Sequence, residues 1–313
     1  MLRLILDRGD EVAIPTESMF LGDFAAVRAG KVDLSVHANA VKFARSVWEH
    51  PKVALWNLEG AAPEMPKGLQ HADAYRIAVE APYRAYAKQH GKQRWGDKTP
   101  YYVLHIPEIL GVWSDAKFIV LVRDGRDVAL SVQKMPFGAN NAFAAAETWA
   151  EGIRLGMRAQ RQHPNNVLSV RYEDLVADPE PHVRRIADFL GLAYTDDMLR
   201  VEDTPKDKIV ADQVAWFSNL WAGINEKSVG KWRREMSERD QRVFAAVAGP
   251  ELAAWGYDLG EHVTGPVPVL GAAATRYRLQ NSSRRAVNFV KLRLVQERGR
   301  ELRYVARRKL KKQ

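Results

Sequence analysis

From Trp95 to Leu190 the chain alternates short apolar, β-branched runs with longer stretches in which apolar positions recur every three or four residues. Gln93 to Asp97 reads as a short strand and Tyr101 to Trp113 as a helix. Lys117 to Arg123 (KFIVLVR) reads as a strand of the continuous apolar kind buried in parallel sheets. A helix is expected from Arg126 to about Lys134, an Ala-rich helix over Ala142 to Gln162, and a strand over Val167 to Tyr172 (VLSVRY). Pro179 to Leu190 has proline in its first turn and Gly191 beyond its end, the punctuation of a complete helix. This alternation predicts an α/β fold with a parallel sheet covered by helices on both faces and joined by right-handed crossovers.

Elsewhere the pattern is less regular. Residues 58–70 (LEGAAPEMPKGLQ) read as a loop. Residues 201–230 hold Trp216, Phe217 and Trp221 among polar positions, which fits a helix packing its aromatics inward or a substrate-facing lid. Ser237 is placed to cap a helix running to Trp255, and residues 265–274 (GPVPVLGAAA) look like a linker. The expected organisation is therefore an α/β domain over 1–264, a linker over 265–274 and a basic helical tail over 275–313.

Charge sharpens that division. The net charge is +9 over 313 residues. Residues 275–313 carry 14 Lys/Arg against Glu297 and Glu301, a balance of +12 that leaves −3 for residues 1–274. A mildly acidic body with one basic extension points to a tethering segment or a solvated helix rather than to a nucleic-acid-binding protein. The absence of cysteine excludes a disulfide scaffold, a thiolate metal centre and a Cys nucleophile. No apolar run reaches the roughly 18 to 20 residues that span a bilayer, and the first residues lack a secretory pattern, so the expected location is the cytoplasm, with peripheral membrane contact through the tail. For the same reason the N-x-S sequon at Asn281 carries no weight.

GxxxxGK[ST], GxGxxG and HExxH are all absent, which removes the motifs of a Walker-type kinase, a dinucleotide enzyme and a zincin. No histidine pair has metal-ligand spacing on one helix, and His105 reads as a packed helix residue. The informative stretch is the strand ending at Arg123 followed by DGRDVALS. Ligands of open parallel sheets bind beyond the strand carboxyl ends, where a helix N-terminus offers N–H groups and a favourable dipole. Arg123 can grip a phosphate with two N–H donors and Ser131 can add a hydroxyl. The plainer alternative pairs Arg123 with Asp127 and leaves Ser131 as filler.

Taken in order, GDKTP, AKFIVLVRDGRDVALS, VRYEDLVADP and GKWRREMS resemble the PAPS-dependent sulfotransferases over about residues 1–258, closest to the bacterial branch related to the tyrosyl-protein enzymes. The resemblance implies a P-loop-NTPase-like topology and transfer of a sulfuryl group from PAPS (3′-phosphoadenosine 5′-phosphosulfate) to a hydroxyl-bearing acceptor, with no metal. It assigns Arg123 and Ser131 to the 3′-phosphate, Tyr172 to the adenine and Lys231, or nearby Lys227, to completing the nucleotide site. Lys98 takes the place of the lysine directed at the transferring group. Glu17 falls where the tyrosyl-protein branch carries its general base, while the cytosolic branch's histidine is replaced here by Pro100. The plainer readings are a surface pair of Lys98 with Asp97 or Asp124, a half-buried strand-end Tyr172, and solvated Lys227 and Lys231.

The chain departs from the family in showing no strand and no PRSGTT-like 5′-phosphosulfate loop before the helix of MLRLILDRGDEVAIP, so the expectation is that Met1 lies inside a longer protein. The competing readings are a PAP- or PAPS-binding pseudoenzyme, an adaptor acting through its tail on an anionic membrane surface, and a nucleotide kinase. The acceptor's identity is not encoded in loops such as 58–70 and 201–225.

Overall fold

The structure is a computed structural model describing residues 1–135, 138–204, 223–260, 267 and 269–288. In chain order its elements are α1 (Leu2–Arg8), β1 (Val12–Ala13), α2 (Phe20–Asp23), α3 (Ala25–Arg28), α4 (His37–Trp48), α5 (His71–Gln89), β2 (Arg94–Trp95), α6 (Ile106–Val112), β3 (Phe118–Val122), α7 (Gly125–Val132) and α8 (Ala142–Gln162). There follow β4 (Val167–Arg171), α9 (Tyr172–Ala177), α10 (Pro179–Leu190), α11 (Trp232–Glu235), α12 (Glu238–Ala254) and a helix over 272–288, α13. The chain forms two compact units, one of residues 1–120 and 159–226 and the other of residues 121–158 and 227–313. No helix among the described residues is long and apolar enough to cross a membrane.

The fold is α/β, as the alternation predicts, but mostly helical. Among the described residues the strands form two two-stranded sheets, β1 with β2 and β3 with β4. β1 and β2 run parallel, with Val12 opposite Arg94 and Ala13 opposite Trp95. Side chains take over the backbone partners that a wider sheet would supply. Asp7 accepts the N–H of Ile14 at 3.0 Å, and the Lys92 ammonium donates to the carbonyls of Asp7, of Gly9 at 2.7 Å and of Val12 at 3.1 Å. Pro15, with no N–H, ends the ladder soon after.

In the first unit α4 packs along α5, and between them lies a core rich in rings: Phe20, Phe43, Trp56, Tyr75, Tyr83 and Tyr86 are all buried. Tyr83 stacks on Trp95 at 4.6 Å, which brings α5 against β2. In the second unit Ala142, Phe143, Val243 and Ala274 form a smaller core that Val267 and Val269 join from the 265–274 stretch.

Local signals account for the element ends. Ser237 accepts the N–H of Asp240, and Gly191 takes the left-handed φ of 62° that stops α10. Two expectations change. Tyr101 to Trp113 is a 3-10 turn over Pro100–His105 and only then a helix, because Pro107 cannot donate to the Val103 carbonyl as a continuous helix requires. Tyr172 is the first residue of α9 rather than the last of a strand, consistent with Glu173 and Asp174 favouring a helix start. Trp216, Phe217 and Trp221 lie outside the described residues.

Candidate functional site

Beyond the carboxyl ends of β1 and β2 the two chains continue side by side. The Gly96 N–H donates to the Ala13 carbonyl at 3.0 Å, and Gly96 lies so close to Ile14 that an added Cβ would sit 3.2 Å from its Cγ1. The Trp56 indole donates to both the carbonyl and the hydroxyl of Thr16 at 3.1 Å, fixing the residue before Glu17. With the segments held this way, Lys98 donates a hydrogen bond to Glu17 Oε1, each side chain remaining roughly two-fifths exposed (40% and 38%). An ammonium and a carboxylate thus meet at the open edge of a parallel strand pair, where substrates of such sheets bind. Arg3 adds a half-buried cation nearby, its Nη1 donating to the Ile14 carbonyl at 3.1 Å, and burial draws its pKa down against the pull of Asp7, Tyr86 and Glu17.

The flanking residues form a second layer that motif reading does not reveal. Ser18 donates to Asp97 Oδ2 at 2.6 Å, Tyr83 donates to the same oxygen, and the Ser18 and Tyr102 hydroxyls are 3.0 Å apart. Burial raises the Asp97 pKa, while hydrogen bonds from Ser18, Tyr83 and Thr99 and the charge of Lys98 oppose the rise. The sequence clue is only adjacency, since Ser18 follows Glu17 and Asp97 precedes Lys98.

In the second unit Arg123 stands at the end of β3, its carbonyl accepting the Trp149 indole N–H at 3.0 Å. Its guanidinium donates to the Ser228 carbonyl and lies 4.0 Å from Asp127, so the anticipated Arg123–Asp127 pairing is present, though long. Asp127 itself accepts the backbone N–H groups of Gly230 at 2.7 Å and Trp232 at 2.9 Å. Arg123 and Asp127 together hold the 228–232 loop that carries Lys231. Arg126, 1% exposed, is sandwiched between the Asp124 carboxylate, with contacts of 2.7 and 3.0 Å, and the Trp232 ring 3.4 Å away. At the N-terminus of α7 one of the free N–H groups is already taken, because Asp124 accepts the Arg126 N–H. Ser131, exposed and one helical turn beyond Asp127, shares its face of α7.

The structure therefore joins Glu17 to Lys98, and Arg123 to the loop of Lys231. Glu17, Lys98 and Tyr172 belong to the first unit, and Arg123, Ser131 and Lys231 to the second. Tyr172 and Lys231 are half-buried and Lys227 is exposed. No group of three or more His, Asp or Glu suited to a metal occurs among the described residues.

A family profile described as "Sulfotransferase family" matches residues 1–196. The chain belongs to the sulfotransferase family. It is accordingly a transferase. This sulfotransferase is 28% identical over 265 residues, covering 82% of its own chain and 91% of the other, to a Caenorhabditis elegans protein named "Putative protein-tyrosine sulfotransferase". Among solved structures it resembles a sulfotransferase domain from the curacin biosynthetic pathway and one from the Synechococcus PCC 7002 olefin synthase. Both match at TM-score 0.53 over 83% of this chain, covering 93% and 90% of those chains at 17% and 23% identity. These structural likenesses establish the fold, a P-loop-like α/β arrangement.

Proposed function

We propose that this sulfotransferase moves a sulfuryl group from PAPS to a hydroxyl acceptor, with Glu17 as general base and Lys98 as the cation at the transferring group. The observation that carries the reading is the Glu17–Lys98 hydrogen bond beyond the carboxyl ends of paired parallel strands. As the acceptor oxygen bonds to sulfur, the bond from sulfur to the phosphate oxygen breaks and PAP departs. The acceptor proton passes to Glu17, whose second oxygen is left to face the acceptor. Negative charge gathers on the bridging oxygen, and the Lys98 ammonium stabilises it as it would in phosphoryl transfer.

The residues suit the 3′-phosphoadenosine half of the donor nucleotide. Arg123, 23% exposed, presents a guanidinium at the end of β3, and Ser131 offers a hydroxyl on α7, the helix that follows. Together they would hold the 3′-phosphate, Tyr172 would meet the adenine, and Lys231 would complete the nucleotide contacts. The similar worm protein's name makes a tyrosine-containing peptide the first acceptor to try. Residues 289–313, strongly basic, would meet anionic membrane surfaces.

The test is sulfuryl transfer from labelled PAPS to tyrosine peptides, sugars and phenols, with Glu17→Gln beside the parent. The variant should lose about 10² to 10⁴ in kcat while keeping its PAP affinity, because the loss falls on the transition state. Turnover by the variant at close to the parent rate would remove Glu17 from the role.

A further inference from the structure

Each member of the proposed catalytic pair has a neighbour in sequence that bonds to the other's neighbour. Ser18 follows Glu17, Asp97 precedes Lys98, and the Ser18 hydroxyl donates to the Asp97 carboxylate at 2.6 Å. Among the described residues, the last backbone bond between these two segments is the one from Gly96 N–H to the Ala13 carbonyl. Past that point the sheet no longer sets their separation, and the serine–aspartate bond lies where the ladder stops. Tyr83, anchored in the aromatic core by its stack on Trp95, donates to the same carboxylate oxygen, and Tyr102 approaches the Ser18 hydroxyl at 3.0 Å. Ser18 and Tyr83 are buried and Asp97 Oδ1 is out of solvent, though Asp97 and Tyr102 as residues are half-buried, so the bond itself is shielded while Glu17 and Lys98 remain open to solvent.

We propose that Asp97, through its bond to Ser18, is a positioning residue that sets the distance between Glu17 and Lys98, an inference that rests on the roles just assigned to those two. Asp97 itself touches neither acceptor nor donor. A tie one residue from each member fixes both backbones, which leaves the ammonium and carboxylate only their own rotamers to search. Reacting groups displaced by about 1 Å lose on the order of 10² in rate, so a bond of this kind is felt in kcat.

Ser18→Ala removes the donor at minimal change in volume, and Asp97→Asn keeps the shape with one acceptor oxygen. Asp97→Asn alters a polar group in the interior and could fail to fold, so Ser18→Ala is the deciding variant. Ser18→Ala should lower kcat about 10- to 100-fold, with KM and PAP affinity held. In a Glu17→Gln background it should add no further loss, since it acts only through the pair. A parent-like kcat for Ser18→Ala beside a crippled Glu17→Gln overturns the inference alone. So does an equal loss in both backgrounds, which marks a purely structural role. An unimpaired Glu17→Gln, or a parent protein without turnover, overturns the functional reading and the inference with it.

Discussion

Asp97 carries a charge in a place that disfavours it, and this has a measurable sign. Its pKa is raised above the ordinary 3.8 of an aspartate, first by burial, with the Ser18, Tyr83 and Thr99 hydrogen bonds and Lys98 acting against the shift. Between the unfolded and the raised folded value the folded protein holds more protons than the unfolded chain, so this residue's contribution to stability falls as pH rises through that interval. Urea unfolding from pH 3.8 upward should show the stability of the parent declining relative to Asp97→Asn, and a difference that rises with pH would refute the assignment. Arg123 gives a second single-residue test. Its replacement by Ala should weaken PAP binding by about 2 to 4 kcal/mol, as expected for a charge-assisted guanidinium–phosphate contact, and calorimetry reads this directly. An unchanged dissociation constant would clear Arg123 of that role. Arg123 stands out in the sequence as the end of a continuous apolar strand run, whereas Glu17 and Lys98 are singled out only by the resemblance of their segments to the family. The Ser18–Asp97 bond and the bonds of Asp127 to Gly230 and Trp232 are hidden from the sequence, because those partners lie 79 to 105 positions apart and only the fold brings them together.

At the scale of elements, the turn from β3 into α7 is tightly built against two aromatic rings. Gly125 opens the helix, and a Cβ there would meet Trp149 Cδ2 at 2.4 Å and Phe244 Cζ at 2.6 Å. Two large rings cannot both withdraw from a packed interior, so Gly125→Ala should destabilise the protein by about 1 to 3 kcal/mol in denaturant unfolding. Retained stability would mean that the rings yield freely. The same turn explains which elements could be read in advance. β3, α7, α8, β4, α10 and α12 announce themselves through continuous apolar runs, helical periodicity and cap residues, and their observed bounds fall within a few residues of those expected. α4 and α5 do not. α5 carries Pro82 within it and buries Tyr75, Tyr83 and Tyr86 alongside alanines, so its apolar face is drawn in aromatic and small residues rather than a leucine stripe. Its register depends on ring packing with Phe20, Phe43, Trp56 and Trp95, residues from elements that lie apart along the chain. The two-residue strand β1 was equally hidden, since Val12 and Ala13 are too few to establish a period.

For the molecule as a whole, the uneven distribution of charge is the feature that composition revealed most clearly, and the structure refines how it should be tested. The basic extension is not free from residue 275 onward. Tyr277 stacks on Phe143 at 5.1 Å and 9°, Arg278 pairs with Glu147, and Asn281 accepts the Asn140 N–H at 2.8 Å, so the first turns of α13 are part of the second unit. Removing everything after residue 274 would strip these contacts and confuse folding with binding. The informative truncation begins at residue 289 and removes ten Lys/Arg with Glu297 and Glu301, together with Val290, Leu294, Leu302 and Val305, which lie outside the described residues. A cationic segment near an anionic bilayer gains about 1 kcal/mol per Lys or Arg at the surface, and apolar residues at helical spacing add burial in the interface. The parent protein should therefore sediment with phosphatidylserine-containing vesicles and not with purely phosphatidylcholine ones, and raising the salt should release it. The protein lacking 289–313 should stay in the supernatant with both while retaining its thermal midpoint and PAP affinity. Equal sedimentation of the parent and shortened proteins with anionic vesicles would show that the tail does not hold this sulfotransferase to a membrane surface, and would leave its charge to some other anionic partner.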